Sequence, residues 1–253
     1  MSHDWWDVFH RPEMADLFLV RQDRELNATI DFLKTELKLV PGARVYDQCC
    51  GIGSLSIALA RQGILATGAD LCDFYIERAR QDAAEAGIDC TFACADAFHF
   101  LPTQPCDAVF NWYSSFGYAH DDARNSLMLQ RAFESLRPGG RLALDVPNAP
   151  GILRDFQRCL ARHGISAGRR VTVVRESTVN LIRGTLDQTW TWLTEGQEPI
   201  TRQSAIRLYL PHQIREMLEQ CGFRQIQFWG GIDRSPLTLD APRLVITAER
   251  PDA

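Results

Sequence analysis

The segment from Val45 to Gly53 constrains the fold more than any other part of the chain. It reads Val-Tyr-Asp-Gln-Cys-Cys-Gly-Ile-Gly, an apolar strand that runs into a glycine-containing turn, and a helical pattern follows over 55–61. Glycines let the backbone approach a ligand closely, and the helix that follows presents unpaired N–H groups to it. This order predicts an α/β sheet with a ligand site at the carboxyl edge of its first strand.

Strand and helix patterns alternate along residues 41–148. Strand patterns occupy 44–48, 65–70, 90–94, 108–112 and 141–146, and helical patterns occupy 55–61, 74–86 and 123–136. Strands that are separated by helices pair in parallel through right-handed crossovers. We therefore predict that residues 41–148 form a mostly parallel sheet, which is the ligand-binding core.

The segments on either side of this core have different patterns. Helical spacing of apolar residues in 1–40 predicts two helices that form an N-terminal lid. In 149–210 a short helix is predicted at 152–163, and an antiparallel insert follows, because its strand patterns have no helices between them. The predicted strands of the insert are 170–179, 185–194 and 204–210. Residues 211–253 predict a helix and a strand pair, and all four parts are expected to form one domain.

Composition and charge exclude several classes of protein. Acidic residues outnumber basic ones by 32 to 27, and the formal net charge of −5 disfavours a nucleic-acid partner. The sequence has no basic leader before an apolar run and no membrane-length apolar segment. Its eight cysteines lie mostly in apolar stretches without metal-ligand spacing, which indicates reduced core thiols. We expect a cytoplasmic protein with no membrane partner and no metal.

Two further acidic residues follow strands at the same predicted edge. Asp70 ends the second strand, where a carboxylate can accept hydrogen bonds from both hydroxyls of a ribose. Asp96 follows the third strand, where a carboxylate can accept a hydrogen bond from an exocyclic adenine amine. Asp47 lies inside the first turn and would attract an ammonium group but repel a pyrophosphate. Together with the glycine-containing turn, these acids indicate a site for a nucleoside at this edge of the sheet.

With these motifs, residues 40–148 and 211–249 resemble the class I S-adenosylmethionine-dependent methyltransferases. The resemblance implies a Rossmann-like, mostly parallel seven-stranded sheet with an antiparallel final strand, and S-adenosylmethionine as the cofactor. The family's turn usually reads acid-x-Gly-x-Gly-x-Gly, and Cys49 stands where the first glycine is expected. The cofactor-binding residues that the resemblance implies are Asp47, Cys49, Gly51, Gly53, Asp70, Leu71, Asp96, Ala97, Phe98 and Asn111.

An aromatic loop from Asn111 to His120 follows the fourth strand. It resembles the Ser-Ser-Phe-Gly-Tyr segment of small-molecule N- and O-methyltransferases of secondary metabolism. This implies transfer of the methyl group, by direct displacement, to a nitrogen or oxygen atom of a small-molecule acceptor. Enzymes that methylate amino groups of nucleic-acid bases usually carry two prolines where this chain has Trp112 and Tyr113. The candidate acceptor-binding residues are Trp5, Trp6, Phe9, Trp112, Phe116, Tyr118 and Arg207.

The candidate catalytic residues are His120 and Tyr113, with His10 as a second candidate base. Neutral imidazole accepts a proton near pH 7. A base is needed only when the attacking atom carries a proton of high pKa, so a neutral amine needs none. If Arg207 faces the acceptor pocket, we expect an acidic group on the acceptor.

Several alternatives remain open at this stage. Within the insert, either Trp190 with Trp192 or Arg207 with Tyr209 can form the roof of the acceptor pocket, since each pair shares one strand face. The insert can instead pair with a second subunit and give a homodimer. For the whole chain, the alternatives are a nicotinamide-dependent oxidoreductase, whose fingerprint needs glycine at Ser56, and a non-catalytic S-adenosylmethionine-binding partner protein.

Overall fold

The structure is a computed structural model that describes residues 5–252. Residues 1–4 of the predicted lid, and residue 253, lie outside this range. The helices are α1 (Pro12–Met14), α2 (Asp23–Glu36), α3 (Ser54–Ala60), α4 (Asp73–Glu85), α5 (Asp122–Ser135), α6 (Ala149–Arg154) and α7 (Pro211–Gln220). The strands are β1 (Arg44–Gln48), β2 (Leu65–Asp70), β3 (Thr91–Cys94), β4 (Cys106–Asn111), β5 (Leu136–Val146), β6 (Cys159–Ser166), β7 (Arg169–Asn180), β8 (Thr185–Thr194), β9 (Ile200–Arg207), β10 (Arg224–Trp229) and β11 (Leu244–Glu249).

Within residues 5–252, seven strands form one sheet in the order β10-β11-β5-β4-β1-β2-β3. The neighbours from β5 to β3 pair in parallel, whereas β11 is antiparallel to both β5 and β10. This confirms the predicted Rossmann-like sheet with an antiparallel final strand. The strand order reverses between β1 and β4, and open α/β sheets bind ligands in the crevice at such a point.

Helices cover both faces of this sheet, so its central strands are buried on both sides. Val45 and Tyr46 are neighbours in β1 with opposite orientations, and both are fully buried. One face packs against apolar residues of α2 and α3, and the other packs against α5 and α7. No helix within residues 5–252 has the length and hydropathy needed to cross a membrane.

The insert is a second sheet, in which the described residues form four antiparallel strands in the order β6-β7-β8-β9. This confirms the predicted antiparallel insert. Val171, Val173, Trp190 and Trp192 lie on one face of it and pack against Phe9 and Leu17 of the N-terminal segment in a buried cluster. The insert therefore covers the N-terminal lid, and a homodimer through the insert stays a prediction.

Two predicted helices differ from the structure. The helix expected at 152–163 ends at Arg154, and residues 159–163 belong to β6, where Cys159 pairs with Glu176 and His163 with Thr172. Pairing with β7 outweighs the weak local helical pattern. The first lid helix is replaced by three short pieces: a 3₁₀ turn at Trp5–Val8, α1, and a π-helical turn at Ala15–Leu19. Pro12 begins α1, because proline fits only the first turn of a helix.

Candidate active site

The turn after β1 has a left-handed backbone. Its φ angles are 64° at Cys49, 55° at Gly51 and 71° at Gly53, so cysteine adopts a conformation that glycine prefers. Gly53 leaves no room for a side chain, since a Cβ atom there would lie 2.6 Å from Cε1 of Phe92. Gly53 thus lets the start of α3 pack on β3, whereas Cys49 and Gly51 line a cavity above the turn.

Asp70 stands at the end of β2 and organises this edge of the sheet. One carboxylate oxygen accepts a hydrogen bond from the backbone N–H of Gly51 at 2.9 Å, and the other accepts one from Cys72 at 3.0 Å. An ionised carboxylate has about four lone-pair sites, so acceptor capacity remains on both oxygens. Asp70 lines two adjoining cavities of about 70 and 100 Å³, and Cys49 lines both as well.

The smaller of these two cavities lies between the ends of β2 and β3. Asp96 accepts a hydrogen bond from the backbone N–H of Phe98 at 2.8 Å, which fixes its carboxylate at the cavity wall. Leu71, Ala97 and Phe98 line the same cavity, and Trp6 of the lid closes it with its ring centroid 6.2 Å from that of Phe98. A carboxylate oxygen that can accept a hydrogen bond, set between apolar walls, suits a flat heterocycle with an exocyclic amine.

Asp47 is buried beneath the larger of the two cavities. Its carboxylate accepts a hydrogen bond from the hydroxyl of Ser56 at 2.7 Å. Burial, with a smaller contribution from the neighbouring Asp70, raises the pKa of Asp47 to about 7, although the hydrogen bond from Ser56 opposes this. The group therefore titrates near neutral pH, so a cation that binds above it would favour the ionised form.

This raised pKa makes a prediction about stability. Because the folded-state pKa of Asp47 lies above its unfolded value, the folded state binds the extra proton between about pH 4 and pH 7, and stability falls as pH rises through that window. The wild type should lose this stability as the pH rises, whereas Asp47→Asn, which has no titrating carboxyl group there, should not. We therefore expect the melting temperature of the variant minus that of the wild type to increase by about 5 °C between pH 5 and pH 8. Asp89→Asn, at an exposed position, is the control. A constant difference across this range would contradict the assignment.

The aromatic loop after β4 is strained where it meets the site. Tyr113 and Ser114 are consecutive residues with positive φ angles of 61° and 68°. Asp145 of β5 holds both, since its carboxylate accepts the N–H of Tyr113 at 3.0 Å and its carbonyl accepts that of Ser114 at 3.0 Å. Asp145 is itself buried and forms an ion pair with Arg243. The loop conformation is thus fixed by a residue outside the loop.

A third cavity, of about 540 Å³, opens beside the larger of the first two. Its walls come from the lid, the aromatic loop, α6 and one face of the insert. The residues that line both this cavity and its neighbour are Phe9, Met14, Leu19, Tyr113 and Tyr118. The arrangement can therefore hold a nucleoside in the two smaller cavities and, beyond a mainly apolar boundary, a second molecule in the third cavity.

Comparison with known protein families agrees with this geometry. A family model described as a methyltransferase domain matches residues 45–140, which include β1 to β4 and the turns that carry Asp47, Asp70 and Asp96. Residues 45–140 thus match a methyltransferase domain. This confirms the family resemblance and the cofactor predicted from the sequence, and it goes against the nicotinamide-dependent alternative.

Individual relatives support the same domain. The S-adenosyl-L-methionine-dependent Diels-Alderase iccD of Talaromyces variabilis is 30% identical over 127 residues, which are 48% of this chain and 42% of the relative. The ubiquinone biosynthesis O-methyltransferase of Xylella fastidiosa (strain M23) is 32% identical over 144 residues, which are 57% of this chain and 54% of the relative. The chain thus spans about half the length of the relatives that it matches.

A solved structure extends the comparison to the whole fold. The S-adenosylmethionine-dependent methyltransferase from Clostridium acetobutylicum ATCC 824 superimposes with a TM-score of 0.78 and 14% sequence identity. The match covers 94% of this chain and 96% of the other. At this identity the comparison supports the fold.

The residues of the methyltransferase domain fit S-adenosylmethionine. Both oxygens of Asp70 retain acceptor capacity for ribose hydroxyls, and Asp96 lies at the wall of a slot between apolar side chains. The buried carboxylate of Asp47 suits the amino group of the methionine end. Asn111 is fully buried next to Cys49 and lines none of the three cavities. Its predicted part in cofactor binding is therefore at most indirect.

Three predicted residues lie away from these cavities. His120 is exposed, and its Nδ1 atom lies 3.4 Å from a guanidinium nitrogen of Arg183. Phe116 is buried against Tyr209, with ring centroids 5.5 Å apart. Arg207 binds Asp122 through two nitrogens at 2.7 and 2.9 Å. Phe116 is thus a core residue, Arg207 links β9 to α5, and His120 lines none of the three cavities. The catalytic role of His120 and the acceptor-binding roles of Phe116 and Arg207 stay predictions, which this placement does not favour.

The other predicted lid and loop residues line one or more of the three cavities described above. Trp5 lines the 540 Å³ cavity, and its indole N–H donates to the carbonyl of Tyr118 at 3.4 Å. Trp112 is buried and lines the larger cofactor cavity. Tyr118 lines all three cavities. Their roles toward an acceptor remain predictions.

Sequence reasoning missed several residues of the site. His10 is not one of them, because the sequence predicts it as the second candidate base; it lines both cofactor cavities, and burial lowers its pKa although Asp70 opposes this. Met14, Leu19 and Met128 also line cavities, but apolar residues in helical patterns give no signal of that role. Asp145 did carry a signal, because it is the one acid in the apolar run from Leu142 to Val146.

Proposed function

We propose that the protein transfers the methyl group of S-adenosylmethionine, by direct displacement, to a nitrogen or oxygen atom of a small-molecule acceptor. The observation that carries this proposal is the 540 Å³ cavity, which shares a wall of five residues with the cofactor cavity. A cavity of this volume suits a small molecule rather than a folded macromolecule. Two adjoining sites with one thin boundary between them would bring a donor and an acceptor together, which supports the proposal.

The chain's own contribution to such a reaction is positioning and exclusion of water. Bound S-adenosylmethionine supplies an electrophilic methyl group with a good leaving group. Asp70 and Asp96 would hold the nucleoside, and the lid residues Trp6 and Phe9, both buried, cover the cavities from above. Correct placement of reacting atoms alone contributes many orders of magnitude to the rate.

The boundary between the two sites favours an acceptor atom with a free lone pair. Its five residues are apolar or phenolic, and burial raises the pKa values of both Tyr113 and Tyr118. Neither phenol can serve as a base at neutral pH. A neutral amine, or an oxygen that is already ionised, needs no base, whereas an alcohol does. We therefore favour an amine, and we assign Tyr113 a positioning role.

The test is methyl transfer from labelled S-adenosylmethionine to a panel of small amines, phenols and alcohols. We expect acceptor-dependent formation of S-adenosylhomocysteine, with amines as the best class, and a methylated product by mass spectrometry. His120→Gln is the matched variant, and we expect its turnover within about twofold of wild type, since loss of a base costs about 100-fold or more. Binding of S-adenosylhomocysteine without transfer to any member of the panel would contradict the proposal and favour a binding protein.

A further inference from the structure

The roof of the 540 Å³ cavity is one face of the insert sheet. Side chains alternate along a strand, so each strand presents every second residue to the cavity. Arg162 of β6, Arg175 of β7, Gln188 of β8 and Ser204 of β9 all line it. Because Ser204 faces inward, Arg207, an odd number of residues away, belongs to the opposite face.

The charges at this cavity are strongly unequal. The described residues that line it include four arginines and a single acidic residue, although the whole chain carries a formal net charge of −5. The acid is Asp155, which is exposed and bound to Arg154 outside the cavity. The four arginines are Arg21, Arg162, Arg175 and Arg243. Positive charge has therefore been concentrated where an acceptor would bind.

Two of these arginines have acidic neighbours in the protein. Arg243 forms a two-point ion pair with the buried Asp145, and its Nε–H donates to the carboxylate at 2.6 Å. Arg21 lies over the ring of Tyr113, with its guanidinium carbon 3.9 Å from the ring centroid. Its Nε atom is also 3.9 Å from a carboxylate oxygen of Glu25, which is too far for a hydrogen bond. Arg21 is thus only weakly compensated.

Arg175 has no such partner within the described chain. Its Nε atom is buried without a hydrogen-bond partner, and its guanidinium carbon lies 5.3 Å from the ring centroid of Trp190. Its neighbours across the strands, Leu160 and Trp190, are apolar. Burial lowers the pKa of Arg175, and no acidic group opposes this. A partly buried guanidinium without an anion is costly, and a ligand anion would offset that cost.

Building on the proposed function, we propose that the acceptor carries an anionic group, a carboxylate or a phosphate, which binds Arg175. Guanidinium presents a planar fork of N–H donors that matches either group. The ring of Trp190 packs against the guanidinium of Arg175 and positions it at the cavity. Arg162, whose guanidinium carbon lies 4.8 Å from the ring centroid of Phe18, adds a second positive charge. The anionic end of the acceptor lies at the insert, and its reactive atom faces the cofactor boundary.

The test compares matched probes on the protein saturated with S-adenosylhomocysteine. The probes for calorimetry are 2-naphthoate, 2-naphthyl phosphate and the neutral 2-naphthamide. We expect at least one anion to bind about 10-fold more tightly than the amide, since a charge-assisted hydrogen bond contributes roughly that factor. Arg175→Gln should abolish the preference, and Arg175→Lys should retain part of it. Arg170→Gln, on the same strand with a side chain 88% exposed, should match wild type.

The outcomes separate this inference from the function on which it rests. If S-adenosylhomocysteine fails to bind the wild-type protein, the proposed function fails. If it binds wild type and Arg175→Gln equally, the variant is folded and its anion preference can be interpreted. Equal binding of the amide and the anions, an unchanged preference in Arg175→Gln, or no binding of any probe would each overturn the anion site.

Discussion

An Asp70→Ala variant is expected to bind S-adenosylhomocysteine at least about 100-fold more weakly than the wild-type protein. The carboxylate of Asp70 would accept two hydrogen bonds from the ribose, and each bond to a charged group contributes about 1.5–3 kcal/mol. The same carboxylate accepts the N–H groups of Gly51 and Cys72, so its loss also releases the turn that shapes the cavity. Isothermal titration calorimetry measures the effect directly.

Asp73→Ala is the matched control for this measurement. Asp73 is an exposed acid three positions further along the chain, and its carboxylate accepts the neighbouring backbone N–H of Phe74. The two variants therefore lose the same chemical group at different sites. An Asp70→Ala protein that is folded and binds within threefold of wild type would remove Asp70 from the cofactor site.

Replacement of Asp145 by alanine should lower the melting temperature by about 10 °C. Asp145 is 1% exposed, and its loss leaves the guanidinium of Arg243, whose side chain is 36% exposed, without its anion. Burial lowers the pKa of Arg243 to about 10, because its charged form loses part of its hydration. Removal of one partner from a buried ion pair typically costs about 3–5 kcal/mol, and the partial exposure of Arg243 places this pair at the lower end of that range. Differential scanning calorimetry measures the change.

The control is Asp155→Ala, which removes an acid from an exposed pair with Arg154. Exposed pairs contribute about 1 kcal/mol or less, so we expect a change within about 3 °C. The double variant Asp145→Ala/Arg243→Met should regain part of the lost stability, because no unpaired charge remains. If Asp145→Ala and Asp155→Ala melt at the same temperature, the ion pair does not anchor the aromatic loop.

Much of the fold could be predicted because the central sheet leaves clear patterns. β1, β4 and β5 each contain a short apolar run that is buried on both faces: Val45–Tyr46, Ala108–Phe110 and Leu142–Leu144. The N-terminal segment could not be predicted as well. Its short helical pieces are held by packing of Phe9 and Leu17 against the insert, and such contacts are invisible in local spacing.

The proposed cofactor side of the candidate site could likewise be predicted from the sequence, whereas the proposed acceptor side could not. Asp47, Asp70 and Asp96 lie at or just after the carboxyl ends of β1, β2 and β3, so topology alone brings them to one edge. The acceptor side depends on the register of the insert, where a shift of one residue reverses the face of every side chain. The sequence favoured Arg207, but the pairing of β7 with β8 turns Arg175 inward instead, and no motif marks that residue.

The roof of the 540 Å³ cavity, where we propose that the acceptor binds, belongs to a different sheet from the strand ends that line the proposed cofactor cavities. The matched methyltransferase domain ends at residue 140, before the insert strands begin at Cys159. Substitutions on the inner face of the insert can therefore alter which molecules are accepted without disturbing the turns after β1, β2 and β3. In evolutionary terms, acceptor choice and donor binding can diverge at separate rates, and a relative that shares only the domain carries no information about this chain's acceptor.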